Sequence, residues 1–220
     1  MLKAQLHIHS KEDKKDHLDY TAKDVIDKAS KLGFNVISFT FHDALFYPKE
    51  IVKYAEEKGI LLIPGIEKTI EGSHVLIIGL EKLPNINKLS DLKKIKDSAL
   101  IIAPHPFYPR GYSLKEDCIK NIDLFDGIEH SFFYNDFLNF NKKAIKVAKK
   151  HNKSLLGTSD VHNLAYLDST YSLIDSKKNM EDVIKAIKEN KLKIITKPIS
   201  LKSMLFLPIS VMFKKLVNNH

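Results

Sequence analysis

Several stretches of this chain are almost wholly apolar and too short for helices: Val36-Ile37-Ser38-Phe39, Ile60-Leu61-Leu62-Ile63, Val75-Leu76-Ile77-Ile78 and Leu100-Ile101-Ile102-Ala103. Strands covered on both faces read this way, whereas half-exposed strands alternate apolar with polar. Between them lie segments of helical period. Val25, Ile26, Ala29 and Leu32 form one stripe, opened by Thr21 with Asp24 three residues on and stopped by Gly33. Pro48 opens a second through Ile51, Val52 and Ala55, ended by Gly59. Further helices are predicted over 89–97, over 137–151 and after Asn179. Strand alternating with helix, each strand buried twice, predicts an α/β fold of parallel strands covered by helices.

The spacing predicts strands at residues 4–9, 35–40, 60–66, 74–79, 99–103, 127–130 and 154–157, with a last one at 194–195. Their ends carry the chemistry. His7 and His9 close the first strand, and a period of two puts both on one face. His42, Glu67, His105 in Pro104-His105-Pro106, and Asp160 with His162 sit at or just past later strand ends; His74 instead opens a strand. In parallel barrels, reacting groups gather at the carboxyl ends of the strands. Histidine and carboxylate donors without cysteine suit Zn, Mn or Fe, and a carboxylate can bridge two such ions. Of the ten histidines, His17, His151 and His220 read as loop, helix and tail residues. His130, following Glu129 at a strand end, is a candidate to touch substrate or to prop a ligand.

The 220 residues are enough for one domain, and 44% hydrophobic with 28% charged residues predicts a folded globule. The single cysteine, Cys118, excludes an intrachain disulfide and a cysteine-rich zinc site. No leader is read at Met1-Leu2-Lys3 and no apolar run reaches the roughly 18–20 residues of a membrane span, so a cytoplasmic protein is expected. A net charge of +8 favours anionic partners. Among 35 basic residues, Arg110 is the one arginine, on the loop after His105; its planar fork is suited to gripping phosphate. From Pro198 onward the chain turns apolar, and 198–220 is expected to form a helical extension closing the bottom of the barrel of residues 1–197.

Taken in order, His7-x-His9, Thr40-Phe41-His42-Asp43, Gly65-Ile66-Glu67, His74, Pro104-His105-Pro106 and Ser159-Asp160-Val161-His162 resemble the PHP family, the polymerase and histidinol-phosphatase group of metal-dependent phosphoesterases. The resemblance spans about residues 4–163. It implies a distorted (β/α)7 barrel with two or three divalent metal ions at the carboxyl ends of its strands. It also implies that His7 and His9 hold one ion with Glu67 and Asp160, and that Glu67 bridges to a second held by His74 and His105. A third would take His42, His162 and a donor from the first loop: Asp13, with Asp16 or His17 as alternatives. Phe41 stands where the family commonly has aspartate.

The expected reaction is hydrolysis of a phosphomonoester by a metal-activated hydroxide. The substrate is a small molecule or nucleotide, with a nucleic-acid end as a further option. Arg110 and Lys68 would grip phosphate, and His130 would protonate the leaving group. The competing expectation is a non-catalytic metal-binding module that docks to a nucleic-acid polymerase or repair partner. The oligomeric state is left open.

Overall fold

A computed structural model of the chain describes residues 1–200 and 202–204. The first half runs β1 (Leu2–Ile8), α1 (Ala22–Lys31), β2 (Val36–Phe39), α2 (Lys49–Glu57), β3 (Leu61–Leu62), β4 (Gly65–Ile70) and β5 (Ser73–Ile78). The second runs β6 (Leu100–Ala103), α3 (Glu116–Lys120), β7 (Gly127–Ser131), α4 (Asn141–Lys150), β8 (Ser154–Thr158), β9 (Thr170–Ile174), α5 (Met180–Lys188) and β10 (Leu192–Thr196). Thr21 caps α1 through a reciprocal pair: its hydroxyl accepts from Asp24 N at 3.2 Å, and the Asp24 carboxylate accepts from Thr21 N at 2.7 Å. Asn179 caps α5 by accepting from Asp182 N at 2.8 Å through its side-chain oxygen.

The expected barrel of seven parallel strands does not form. Among the described residues there are two mixed five-stranded sheets, ordered β10-β9-β1-β2-β3 and β4-β5-β6-β7-β8, and no closed barrel. Three local features break the pattern. The stretch 60–67 is not one strand: Pro64, which has no N–H for a ladder, separates β3 from β4. Glu67 therefore lies within β4 and not past a strand end. Glu71 and Gly72, both at positive φ, then make a tight hairpin turn, so β5 runs antiparallel to β4 and to β6. Finally β9, which the sequence pattern did not reveal, runs antiparallel to β1 and β10. Residues 89–97 form a tighter 3-10 turn at Leu89–Ile95 instead of an α-helix.

Single bridges stitch the sheets together at one end: Ile8 with Val161, and His42 with Glu67. Ala4, Leu6, Val36, Leu76, Ile102 and Leu156 fill the space between the sheets. Ile8, Ile37 and Phe39 instead pack outward under α1 and α2. Full burial of a side chain such as Phe39 contributes about 1.5–3 kcal/mol, so these layers hold the bridged end in place.

The bridged end depends on an irregularity in β1. Gln5 pairs with Ile37 and Ile8 with Phe39, three steps on one strand against two on the other. The extra residue is a β-bulge. Leu6 belongs to the interior and Ile8 to the outer layer, so His7 is turned inward by the bulge and not by simple alternation.

Of the helical extension expected over 198–220, residue 201 and residues 205–220 lie outside the described residues. Residues 202–204 are helical, and Met204 packs with Phe132 and Ile199. Among the described residues no helix is long and apolar enough to cross a membrane.

Candidate metal centre

Ten side chains from seven segments converge where the sheets meet. The bulge of β1 delivers His7, and His9 follows at the strand end. The loop after it brings Asp13 and Asp16; His42 follows β2, Glu67 comes from β4 and His74 from β5. His105 follows β6, and Asp160 and His162 follow β8. Asp160 and His105 both adopt positive φ, at 40° and 62°. That conformation is costly for residues with a Cβ and is held by the surrounding structure, as at functional sites.

Glu67 is the hub. Its Oε1 accepts from His74 Nδ1 at 2.8 Å and lies 3.1 Å from His105 Nε2. Its Oε2 lies 3.5 Å from His7 Nε2, 3.4 Å from His9 Nε2 and 3.2 Å from His42 Nε2. One carboxylate thus presents its two oxygens to two sets of imidazoles. Asp160 Oδ1 sits 3.4 Å from His7 Nε2 and 3.6 Å from His9 Nε2.

The donor set fits divalent ions. His7 Nε2, His9 Nε2, His105 Nδ1, Asp16 Oδ2 and Asp160 Oδ1 are buried polar atoms with no hydrogen-bond partner, which is costly unless something else meets them. Donors at 2.0–2.1 Å from one tetrahedral ion stand about 3.4 Å apart, close to the spacings around Glu67 and Asp160. Four overlapping groups have donor atoms within 4.8 Å of one another: His7, His105 and Asp160; His7, His9 and Glu67; His42, Glu67 and His74; and His9, Asp16, His42 and His162.

Asp13 and Asp16 play different geometric parts. Asp13 Oδ2 already accepts from the His42 backbone N–H at 2.9 Å and faces His9 Nδ1 and His42 Nδ1 at 3.0 and 2.9 Å. Asp16 Oδ2 is unpartnered and stands 3.0 Å from His162 Nε2. His17 is in none of the four groups.

Charge is tightly coupled here. Burial pushes the Glu67 and Asp160 carboxyls up, but His7 and the other imidazoles outweigh it and hold both well below the carboxylate range. Burial also disfavours imidazolium at His7 and His162, yet Asp160 and its neighbours raise both well above the ordinary value. His9 is lowered to about 4, by burial first and then by the His162 charge.

Three residues that the sequence analysis missed shape the cluster. Glu129, fully buried in β7, places Oε2 2.9 Å from His7 Nδ1, leaving Nε2 to face Glu67 and Asp160. Tyr112 stacks on His74, with ring centroids 4.4 Å apart and planes 13° apart. Asp43, at positive φ, binds Lys15 at 2.6 Å and Lys68 at 2.9 Å. Glu129 and Asp43 each stand beside a singled-out histidine, at His130 and His42, whereas Tyr112 carries no such signal.

Two predicted residues are not brought to the cluster. Because Glu129 faces His7, alternation along β7 turns His130 to the opposite face. There it rests edge-on against Tyr134, and burial lowers its pKa. Lys68 is drawn to Asp43, whose carboxylate it shares with Lys15. Arg110 is exposed beside the cluster and donates to the Tyr112 hydroxyl. Its guanidinium carbon lies 5.8 Å from the Tyr112 ring centroid and 5.7 Å from that of Phe133.

Residues 139–192 match the PHP-associated family. The uncharacterized protein MJ1587 of Methanocaldococcus jannaschii is 31% identical over 139 residues, covering 58% of this chain and 80% of that protein. A two-domain Bacteroides vulgatus protein, described as containing a predicted PHP-like metal-dependent phosphoesterase, shares the fold with a TM-score of 0.68 and 22% identity; 96% of this chain and 69% of that one are covered. The lesion-specific endonuclease EndoQ of Pyrococcus furiosus superposes with a TM-score of 0.61 and 18% identity, over 94% of this chain and 66% of that one. The chain is thus related to the Methanocaldococcus jannaschii protein along most of that protein's length, carries a PHP-associated segment, and shares the fold of a PHP-like protein.

Proposed function

We propose that this chain is a metal-dependent phosphoesterase that hydrolyses a phosphomonoester, a small molecule or a nucleotide. The observation that carries the reading is Glu67, whose two carboxylate oxygens face two separate sets of imidazoles. Such an arrangement suits a pair of divalent ions sharing one carboxylate.

His7, His9, Glu67 and Asp160 would hold one ion, and Glu67, His74 and His105 a second. His42, His162 and Asp16 would hold a third, with Asp13 holding His9 and His42 in place. Zn, Mn or Fe, when bound, would supply positive charge for the phosphoryl oxygens and would acidify water. The chain's own part is positional. Glu129 and Asp13 orient imidazoles through their Nδ1 atoms, and Arg110 offers a planar cation beside the cluster for the remaining phosphoryl oxygens. The kinship of fold with an endonuclease and the charge of +8 make a nucleic-acid end the next substrate to try.

The test is a panel of phosphate esters, from aryl phosphate and histidinol phosphate to nucleoside bisphosphates and short oligonucleotides. The protein is stripped by chelation and reloaded with Mn, Zn or Fe. Phosphate release that returns with metal is expected. Protein that binds metal and releases no phosphate from any ester would overturn the reading and favour a binding module.

A further inference from the structure

Tyr112 is tied down through its ring, its carbonyl and its hydroxyl, and these ties join the His74–His105 side of the site to Arg110. Its ring lies parallel on His74, and its edge meets His105 at 5.5 Å between centroids. Its carbonyl accepts from the His74 backbone N–H at 2.9 Å. Its hydroxyl accepts from Arg110. His74 and His105 are the two histidines that share Glu67 Oε1, whereas Arg110 stands at the exposed edge of the site.

We infer that Tyr112 is a positioning residue that couples the phosphate-gripping arginine to the His74–His105 end of the metal centre. This deepens the proposed function and rests on that reading for the role of Arg110. The physical argument has two halves. An exposed arginine side chain has many rotamers, and holding it in one before an anion arrives lowers the cost of binding. The Tyr112 hydroxyl, with the Tyr112 and Phe133 rings beside the guanidinium, supplies that restraint. An imidazole that hydrogen-bonds through one nitrogen can still tilt about that bond. A parallel aromatic face limits the tilt of His74.

The two halves separate by substitution. Tyr112→Phe keeps the stack and removes the hydroxyl; Tyr112→Leu removes both. On the manganese-loaded chain, calorimetry with inorganic phosphate is expected to show roughly tenfold weaker binding for Tyr112→Phe. Manganese content and kcat should stay unchanged in that variant, while KM rises. Tyr112→Leu is expected to lose in addition roughly tenfold or more in manganese affinity, read by titration of the metal-free protein. Wild-type phosphate affinity in Tyr112→Phe, or wild-type manganese affinity in a folded Tyr112→Leu, would overturn the inference. If the wild-type protein hydrolysed no ester, the proposed function would fall. The phosphate and manganese titrations would still decide the role of Tyr112.

Discussion

Glu129 and His7 lie 122 residues apart in the chain and meet at 2.9 Å, both closed off from solvent. The contact assigns His7 Nδ1 to the carboxylate and leaves Nε2 facing Glu67 and Asp160. Glu129→Gln keeps the shape but loses the negative charge. It is expected to weaken metal binding about 10–100-fold, with hydrolysis falling alongside. Metal titration of the stripped variant checks this, and an unchanged affinity would make Glu129 a packing residue.

His7→Ala and Asp160→Ala each remove a donor from the most enclosed part of the site. Hydrolysis should drop by roughly a thousandfold or more, and bound metal should fall measurably by elemental analysis. Chelation of the wild-type protein should lower its melting temperature, because an ion at a thousand times its Kd stabilises the fold by about 4 kcal/mol. Retained activity in either variant would reject the assignment.

Asp16 and Asp13 are separable. Asp16→Asn should cost one equivalent of metal, since its Oδ2 is the unpartnered oxygen beside His162. Asp13→Asn should lower affinity at His9 and His42 without removing a whole equivalent, since its Oδ2 is already hydrogen-bonded. Elemental analysis of both variants at saturating manganese tells these outcomes apart; equal stoichiometry in the two would refute the distinction.

Gly65 opens the strand that carries Glu67. A Cβ there would collide with the Ser38 hydroxyl and come within 3.0 Å of Thr40 Cγ2 and 3.1 Å of the Phe39 carbonyl oxygen. Gly65→Ala should destabilise the protein by about 1–3 kcal/mol, seen in urea unfolding. It should also disturb activity, because β4 cannot shift without moving Glu67. A neutral effect on stability would mean that the sheets part more easily than their packing implies.

Cys118 is the buried residue of α3, and burial pushes its thiol up from 9 to about 12 although Lys143 pulls the other way. The folded protein therefore holds this proton more tightly than the unfolded chain. The stability it contributes is complete below about pH 9 and is lost as pH rises towards 12. Urea midpoints of wild type and Cys118→Ala, compared at pH 8 and 10.5, should fall less for the variant. Parallel declines would remove Cys118 from the alkaline limb.

The helices with explicit caps were legible, because Thr21 and Asn179 act on their own first turns. The site histidines and acids were legible as a set, since each stands near the end of an apolar run or in the strand after it. Their partners were not. Of the adjacent Glu129 and His130 it is Glu129 that faces His7; which of two adjacent strand residues looks inward depends on pairing with β8, 27 residues away. Lys68, expected to grip phosphate, is met by Asp43 from a segment 25 residues earlier. Strand direction was the larger miss, because local apolar runs do not record the hairpin at Glu71-Gly72 or the return of β9 along β1.

The amino-acid sequence by itself determined the chemistry available: six histidines and several acids near apolar strands, one arginine, and no second cysteine. Tertiary structure alone decided how these groups face one another. The two histidines of the opening motif share a face by strand alternation, but that face turns inward because Ile8 pairs with Phe39 one step out of register. A register is a property of two strands and of the layers packed on both, and no run of residues in either strand contains it.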